Sequence, residues 1–411
     1  MGVERQNYMN ELFARRMDGV PASFIREILK FTQQGDVISF AGGLPNPRFF
    51  PVKAISDATV KVLEKDGGNV LQYGATDGHQ PLKEFICDYY MRKKKLNVTP
   101  DEILITNGAQ QAIALICKTF VNQKDNILLE RPSYLGAIQA MSFYEPNFFT
   151  ADMEDDGVNI EQMSDVYKNN NIKLFYSVVN FSNPTGITYS LQKRKDIAEV
   201  LSEYQTLFVE DDPYYEWRYS GEHMPSVKSF LSNNVIMLGS FSKIISPGFR
   251  IGWICAQKNL MEKIIISKQA ADLHSSTFCQ RVIHQYLLDN DIENHLVKLR
   301  QVYNNQKNAM ISAIEKYFPE EVKFTRPEGG MFLWVTMPLN ISSRDVLPIA
   351  LKEHVAFVPG DTFYVDGKGF NTMRLNFTNS PEDKIEQGIK ILSNIIKKLL
   401  ADSKQPALVG Y

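Results

Sequence analysis

The stretch Gly239–Gly252 reads GSFSKIISPGFRIG and is the most informative segment of the sequence. The apolar run Val235–Leu238 precedes it and is typical of a buried strand, and small hydroxyl residues and Lys243 follow at once. Open α/β sheets bind ligands at the carboxyl ends of their strands, so we expect Lys243 to lie in a site. Desolvation there lowers the pKa of an amine and frees it to form a Schiff base. Arg250 suits bidentate binding of a phosphate.

Two other interpretations of Lys243 compete with this one. A single lysine is most often a solvated surface charge. The run Ser240-Phe241-Ser242-Lys243 also fits the S-x-x-K pattern of serine acyl-enzymes, but that chemistry uses a K-T-G element, which this sequence does not contain. The position of Lys243 directly after a strand therefore favours Schiff-base chemistry.

Apolar runs of strand length alternate with longer stretches of helical period through most of the chain. The predicted strands are Ile103–Thr106, Asn126–Leu129, Lys173–Val179, Leu207–Glu210 and Val235–Leu238. Helical period covers Ala109–Val121, a stretch from Tyr134, and Leu191–Tyr204. This alternation predicts an α/β fold with a parallel sheet that helices cover on both faces.

The pattern changes after about residue 280, where helical period dominates as far as Tyr317. The later segments are predicted strands at Met331–Met337, Ala356–Val358 and Met373–Phe377, and predicted helices at Ser343–Glu353 and Pro381–Leu400. We therefore expect three parts. They are an N-terminal arm or lid over residues 1–50 that packs with the small domain, a large domain over 51–285, and a small α+β domain over 286–411.

Length and composition exclude several classes of protein. The 411 residues exceed what a single core usually holds. Lys and Arg number 45 against 47 Asp and Glu, a balance that excludes a strongly basic nucleic-acid binder. The four cysteines form no CxxC pair, which argues against a disulfide framework and a metal site. No membrane-length apolar run and no signal-peptide pattern is present, so we expect a cytoplasmic protein.

Four motifs in a fixed order resemble the class I aminotransferases of fold type I, which depend on pyridoxal phosphate. They are Asn183-Pro184-Thr185-Gly186, the run EDDPYY at 210–215, the lysine stretch, and Arg374 in MRLNF. SFAGGLPNPRFFP at Ser39–Pro51 and VEDDPYYEW at Val209–Trp217 resemble the 2-aminoadipate and kynurenine aminotransferase branch. The resemblance covers nearly the whole chain. It implies a large domain with a mostly parallel sheet, a smaller α+β domain and an N-terminal lid segment.

The resemblance implies pyridoxal 5'-phosphate as the cofactor and a protein partner for each of its reactive groups. Lys243 corresponds to the lysine that binds the aldehyde and then moves the substrate's proton. Asp211 corresponds to the carboxylate that keeps the pyridine nitrogen protonated. Tyr214 and Asn183 correspond to the pair that bonds the phenolic oxygen. The local pattern by itself does not distinguish Asp211 from the neighbouring carboxylates at 210 and 212.

The cofactor's phosphate and ring also have implied partners. The phosphate set is Gly108, Ala109, Gln110, Ser240, Ser242 and Arg250. Ala109 stands where the family usually has a hydroxyl residue, so one side-chain hydrogen bond is expected to be lost while the helix N–H groups remain. Tyr134 corresponds to the aromatic that stacks on the ring, with a core tyrosine as the alternative. Tyr73 resembles the tyrosine that reaches the neighbouring subunit's phosphate, which implies a homodimer with shared sites.

Substrate recognition is implied for residues from three segments. Arg374 corresponds to the arginine that binds the substrate α-carboxylate in a bidentate manner, with Asn183 and Gly43 beside it. In the 2-aminoadipate branch a mobile N-terminal helix meets a side-chain carboxylate, and Ser23 and Arg26 occupy the matching positions. A solvated face of an amphipathic helix is the alternative for Arg26.

The sequence thus predicts an aminotransferase for small amino acid and 2-oxo acid substrates, with no nucleic-acid or membrane partner. The amino group would pass from 2-aminoadipate, an aromatic or branched-chain amino acid, or glutamate to an acceptor such as 2-oxoglutarate, with ping-pong kinetics. A pyridoxal-phosphate lyase is one alternative, because the fold alone does not determine the reaction. A non-catalytic sensor fused to a regulator is the other, and the shortness of Met1–Gly35 argues against it.

Overall fold

The computed structural model describes residues 12–17, 19–20, 28 and 37–404. The strands in these residues are β1 Ile38–Ser39, β2 Ile103–Thr106, β3 Asn126–Arg131, β4 Asn147–Glu154, β5 Gly157–Val158, β6 Ile172–Ser177, β7 Leu207–Asp211, β8 Val235–Ser240, β9 Gly252–Cys255, β10 Lys323–Phe324, β11 Phe332–Thr336, β12 Val355–Ala356, β13 Val358–Pro359 and β14 Thr372–Asn376. The α-helices are α1 Val52–Asp66, α2 Gln80–Tyr89, α3 Ala109–Phe120, α4 Leu135–Ser142, α5 Ile160–Asn169, α6 Leu191–Ser202, α7 Lys258–Asp272, α8 Thr277–Asp289, α9 Ile292–Tyr317, α10 Ser343–Lys352 and α11 Glu382–Lys404. The N-terminal helix that the resemblance implies around Ser23 and Arg26 lies, apart from Ile28, outside the described residues.

The largest sheet has eight strands in the order β2-β9-β8-β7-β6-β3-β4-β5. Strands β8, β7, β6, β3 and β4 run parallel to one another, which confirms the mostly parallel sheet that the sequence predicts. Strand β9, which the apolar pattern did not reveal, runs antiparallel between β8 and β2. Strand β2 consequently points the same way as β8, so its carboxyl end reaches the same edge of the sheet.

Both faces of this sheet are buried, which explains the continuous apolar runs of its strands. Ile103 and Ile105 pack into one apolar cluster, whereas Leu104 between them packs into another. Successive side chains of a strand point to opposite faces, so the two clusters lie on the two sides of the sheet. The whole of β2, β7 and β8 is buried, including their polar last residues.

A four-stranded sheet in the order β10-β11-β14-β13 lies in the C-terminal part of the chain. The predicted strand Ala356–Val358 is in fact divided, because Val355–Ala356 pairs with β1 and Val358–Pro359 pairs with β14. Helix α9 contributes side chains both to the core of this sheet and to the core of the large one. One continuous helix therefore packs in both cores. The predicted boundary between the large and the small domain, at 285 and 286, stays a prediction.

Two kinds of feature are absent from residues 12–17, 19–20, 28 and 37–404. None of their helices combines the length and the apolar character that crossing a membrane requires. Their His, Cys, Asp and Glu side chains form no group of three or more that could hold a metal ion. All four cysteines are unpaired, as the spacing predicts.

The buried guanidinium of Arg194, on α6, ties together loops at the edge of the large sheet. Its Nε donates to Tyr189 O at 3.1 Å, and its Nη1 donates to Pro225 O at 3.0 Å. Its Nη2 donates to Val179 O at 3.1 Å and to Asn180 Oδ1 at 2.6 Å. Burial lowers the pKa of Arg194, and these acceptors compensate the buried charge.

We expect Arg194→Met to destabilise the protein by about 3 kcal/mol, because several buried acceptors would lose their donor at once. The midpoint of urea unfolding, followed by tryptophan fluorescence, measures the effect. Lys195→Met is the matched control, since Lys195 is exposed on the same helix, and its midpoint should stay close to wild type. Equal shifts in the two variants would contradict a bracing role for Arg194.

Candidate active site

A cavity of about 310 Å³ opens where the polar ends of the large sheet's strands meet segments from the C-terminal part. Twelve of the residues predicted from the sequence line it, namely Gly43, Ala109, Gln110, Tyr134, Asn183, Asp211, Tyr214, Ser240, Ser242, Lys243, Arg250 and Arg374. Leu44, Val178, Pro213 and Pro247 line it as well and were not predicted. Gly108 adjoins the lining, Tyr73 lies apart from it, and Ser23 and Arg26 are outside the described residues.

The register of the sheet explains why residues so distant in sequence come together. Asp211 ends β7 and pairs with Leu238, and Ser240 ends β8 two residues further on. Gly252 pairs with Ser240 on one side and with Thr106 on the other, so the end of β2 joins the same edge. Polar side chains cost free energy when they are buried within a sheet without partners. Here they lie together at the carboxyl ends of the strands, where open α/β sheets bind ligands.

Lys243 lies half-buried at the centre of the cavity. Its Nζ donates a hydrogen bond to Gly43 O at 2.9 Å and lies 5.9 Å from the centre of the Tyr214 ring. Burial, helped by the positive charges of Arg374 and Arg250, lowers the pKa of Lys243 to about 8, although the charge of Asp211 opposes the shift. A neutral, nucleophilic amine is therefore accessible close to neutral pH.

Asp211 is buried and has only one of its carboxylate oxygens bonded. Its Oδ2 accepts a hydrogen bond from the Tyr176 hydroxyl at 2.6 Å, whereas its Oδ1 is buried without a partner. Burial, together with the charge of the neighbouring Asp212, raises the pKa of Asp211 to about 6, although the Tyr176 hydrogen bond and the charge of Lys243 oppose the shift. A donor from a ligand would satisfy the unpaired oxygen.

The structure distinguishes Asp211 from the adjacent carboxylates. Asp211 lines the cavity, and its two neighbours are not among the lining residues. Glu210 accepts a hydrogen bond from Ser226 Oγ at 2.6 Å. Asp212 pairs with the buried Lys94 and accepts from Asn180 Nδ2 at 2.9 Å. Local sequence left the choice open because all three residues are acidic and buried.

Arg374, on β14, places a buried positive charge in the wall of the cavity. Its Nη1 donates to Asn183 Oδ1 at 2.8 Å and its Nη2 donates to Ala41 O at 2.7 Å, while its Nε has no partner. The guanidinium lies 4.2 Å from the centre of the Phe332 ring. Burial lowers the pKa of Arg374 to about 10, so the group stays charged at neutral pH.

One end of the cavity is suited to an anion. Helix α3 begins there at Ala109, and Gly108 before it has a φ of 77°. A Cβ on Gly108 would lie 2.6 Å from Arg250 Nη2, so glycine leaves room for the guanidinium. Arg250 is exposed, with its Nη2 3.4 Å from Asn107 O. The first N–H groups of a helix and an exposed guanidinium together make a phosphate-sized donor set.

Three predicted aromatic residues have different surroundings. Tyr134 immediately precedes α4, and burial raises its pKa to about 12, so it stays neutral. Tyr214 is buried, and burial raises its pKa too. Tyr73 is 79% exposed and contacts His274 edge-on at 5.7 Å between ring centres. Tyr73 is thus available to a group outside the described subunit.

Sequence reasoning missed three residues that support the site. They are Tyr176 beneath Asp211, Phe332 against Arg374, and Lys94 beside Asp212. A tyrosine in the apolar run LFYS and a lysine in the run RKKK carry no local signal of their partners. A buried phenol does need a hydrogen-bond partner, which is the only hint that Tyr176 offers.

Comparisons with known proteins agree with this geometry. The family model described as aminotransferase class I and II matches residues 36–392. The aromatic-amino-acid aminotransferase 1 of Thermococcus litoralis is 41% identical over 94% of each chain. The solved kynurenine aminotransferase of Pyrococcus horikoshii, in complex with PMP, KYN and KYA, is 41% identical with a TM-score of 0.91, covering 95% of this chain and 98% of that one.

A second solved structure is the α-aminoadipate aminotransferase of Thermus thermophilus, complexed with N-(5'-phosphopyridoxyl)-L-leucine. It is 36% identical with a TM-score of 0.89, covering 96% of this chain and 99% of that one. Family model and relatives span nearly the full described chain, including every element that forms the cavity. The chain therefore belongs to the class I and II aminotransferases.

Proposed function

We propose that this aminotransferase uses pyridoxal 5'-phosphate to move the amino group of 2-aminoadipate, kynurenine or another aromatic amino acid to a 2-oxo acid such as 2-oxoglutarate. The observation that carries the proposal is one cavity that joins the Lys243 amine, the unpaired Asp211 Oδ1 and the anion-binding end at Arg250. The relatives solved with PMP and with a phosphopyridoxyl amino acid support the cofactor, and their names support the substrate classes.

The residues of the cavity fit this cofactor. Its phosphate would be held by the start of α3 together with Ser240, Ser242 and Arg250. Its ring nitrogen, when protonated, would donate to Asp211 Oδ1, the buried oxygen that has no other partner. Tyr214 and Asn183 would bond the phenolic oxygen, and Tyr134 would pack against the ring. One carboxylate, one amine and one anion site match the cofactor's three charged or reactive positions.

Lys243 is the group that moves protons. When bound, pyridoxal 5'-phosphate supplies an aldehyde carbon that accepts the amino group and a ring that withdraws electrons from the substrate Cα. Once released, Lys243 Nζ would take the proton from the substrate Cα as a general base and would deliver it, as a general acid, to the carbon that accepts the amino group. A pKa of about 8 suits both directions, because each protonation state is well populated near neutral pH.

Arg374 orients the substrate by binding its α-carboxylate. Its Nε is buried without a partner, so a carboxylate would gain a charge-assisted hydrogen bond there. Among the described residues that line the cavity of about 310 Å³, Arg374 supplies the one buried guanidinium for that purpose. Donor and acceptor would therefore bind in turn at one carboxylate site, which supports a ping-pong order.

The proposal also assigns roles to the N-terminal segment and to the two domains. Residues 1–50 would form the lid, 51–285 the cofactor domain and 286–411 the small domain; the pairing of β1 with β12 supports packing of the first part on the last. Ser23 and Arg26 would meet a carboxylate on the substrate side chain. A larger KM increase for dicarboxylic than for aromatic donors in Arg26→Ala would support this role, and equal increases would oppose it.

We also propose a homodimer in which Tyr73 contributes to the partner's phosphate site. The exposure of its ring, 79%, and its position outside the cavity of its own subunit support this assignment. A monomeric mass of the holoenzyme in sedimentation equilibrium would exclude shared sites.

The function is tested by an amino-donor panel with 2-oxoglutarate as acceptor. We expect glutamate to form with 2-aminoadipate and aromatic donors, and the purified protein to show the visible absorbance of bound cofactor. Lys243→Ala should abolish that absorbance and lower kcat at least about a thousandfold, since base and cofactor attachment are both lost. Lys263→Ala serves as the control. Release of pyruvate and ammonia without an acceptor would instead indicate a lyase.

Cofactor affinity should depend on the protonation of Asp211. Above about pH 6 the carboxylate is charged and attracts a protonated ring nitrogen; below that pH it takes up a proton and the attraction is lost. The dissociation constant of pyridoxal 5'-phosphate should therefore rise as pH falls through 6, measured by absorbance titration. Asp211→Asn should bind pyridoxal 5'-phosphate weakly at every pH and should lack this acid limb, the rise of the dissociation constant as pH falls through 6. The pH dependence that comes from titration of the cofactor's phosphate should remain in both proteins. A limb that survives in Asp211→Asn would assign it to another group.

Arg374→Lys should raise KM for donor and acceptor together by about tenfold or more, because an ammonium cannot make the bidentate contact. Initial rates with both substrates varied measure the two KM values. Arg326→Lys is the control, since Arg326 is exposed and paired with Glu315 outside the cavity. A change in only one KM would speak against a shared carboxylate site.

A further inference from the structure

We propose that Tyr176 is a positioning residue for the reaction, whose hydroxyl holds Asp211 in one orientation and leaves the second carboxylate oxygen free for the cofactor. The inference rests on the proposed function, because the orientation of Asp211 matters only if that carboxylate binds the ring nitrogen. It adds a residue from β6, a strand that contributes no side chain to the cavity lining.

The sheet brings the two side chains together. Tyr176 on β6 pairs with Val209 on β7, and Asp211 stands two residues beyond Val209 on the same face of the strand. A diagonal neighbour at this distance is within reach of a long aromatic side chain. The Tyr176 hydroxyl lies 2.6 Å from Asp211 Oδ2, and the tyrosine is fully buried in the apolar cluster on that face. Its ring packing therefore fixes the position of its hydroxyl.

The direction of the hydrogen bond follows from the two groups. Burial raises the pKa of Tyr176 well above its ordinary value, and the nearby charge of Asp211 raises it further. The phenol thus keeps its proton and donates, while the Asp211 carboxylate accepts. With Oδ2 engaged, rotation of the carboxylate about its Cβ–Cγ bond would break a charge-assisted bond in a buried place.

The other groups that face Asp211 leave its Oδ1 to a ligand. Asp212, the next residue, is engaged with Lys94 and Asn180. Lys243, from the segment after β8, donates to Gly43 O. The phenols of Tyr134 and Tyr214 lie close enough to feel the charge of Asp211, but neither hydrogen-bonds it. Oδ1 therefore remains a buried acceptor without a donor, which costs free energy until a ligand supplies one.

Tyr176 also affects the charge of Asp211. Its hydrogen bond stabilises the carboxylate and so lowers a pKa that burial otherwise raises. Without the hydroxyl, Asp211 would take up a proton at a higher pH and would lose its fixed orientation. Both effects would weaken the contact with the ring nitrogen and leave Arg374, the carboxylate-binding group, unchanged.

The test compares Tyr176→Phe with the wild-type holoenzyme. The dissociation constant of pyridoxal 5'-phosphate should rise about tenfold at neutral pH, the size expected for losing one hydrogen bond to a charged group. The acid limb of this dissociation constant, its rise at low pH, should move to higher pH. In steady-state assays kcat should fall about tenfold while both KM values stay within about twofold. Unchanged cofactor affinity together with an unchanged acid limb would overturn the proposal.

Tyr189→Phe is the matched control. Tyr189 is also fully buried, and its hydroxyl donates to the buried carboxylate of Glu130 at 2.6 Å, outside the cavity. Removing that hydroxyl should leave the acid limb and kcat at their wild-type values. Equal shifts in both variants would mean that Tyr176 acts only through general stability.

Two further measurements separate the possible failures. In an Asp211→Asn background, Tyr176→Phe should no longer change cofactor affinity, because the hydroxyl acts through the carboxylate. If Tyr176→Phe does not fold, a fluorinated, more acidic tyrosine at 176 keeps the shape and should move the acid limb to lower pH; an unmoved limb would overturn the proposal. A wild-type protein without cofactor absorbance would contradict the proposed function itself. Normal cofactor binding by the wild type, with no change in Tyr176→Phe, would contradict only this inference.

Discussion

Parallel strands that end at one edge of the sheet are the constraint on which the site depends. Asp211 ends β7 and Ser240 ends β8, and Lys243 follows within the next turn of chain. Because β9 runs antiparallel between β8 and β2, the start of α3 reaches the same edge. The carboxylate, the amine and the anion-binding end are thus gathered at one edge of the sheet, the first on β7 itself and the other two in short segments that directly follow β8 and β2.

Two adjacent carboxylates at the end of β7 have different surroundings. Asp211 lines the cavity with one oxygen free, while Asp212, just after the strand, pairs with Lys94 away from the cavity. The network of Asp212 continues through Asn180 to Arg194, so the charge next to the site is already compensated within the core. A buried carboxylate can then be kept for a ligand without leaving a second unpaired charge beside it.

The sequence was sufficient for features that depend on local order. The strands near 103, 207 and 235, the lysine after β8 and the turn at Asn183 follow from apolar runs and motif order. The choice of Asp211 over its neighbours needed the resemblance or the structure. The sequence EDDPYY does not show which acidic side chain at the end of β7 points toward the site. Strand β9 was missed because GWIC is short and follows the lysine stretch directly.

Contacts of the supporting side chains across the fold could not be predicted from local sequence. Tyr176 reaches Asp211 over a diagonal of the sheet, and its position depends on the register of two strands that a helix separates in the chain. The same holds for Phe332 against Arg374, which unites β11 and β14. Register is set by global packing of both sheet faces, so local periodicity carries no information about such partners.

Arg374 connects the small sheet to segments that follow β1 and β6. Its guanidinium is held by Asn183 from the loop after β6 and by the carbonyl of Ala41 from the segment after β1, while its own strand belongs to the small sheet. A carboxylate that binds its free Nε therefore contacts a group to which three chain segments are already tied. On the proposed function, a substrate carboxylate at this guanidinium would stabilise the arrangement of all three relative to Lys243, and the segment after β1 also supplies the Gly43 carbonyl that accepts from the lysine amine. Carboxylate binding at Arg374 and the position of the Lys243 amine would thus be coupled through one short stretch of backbone.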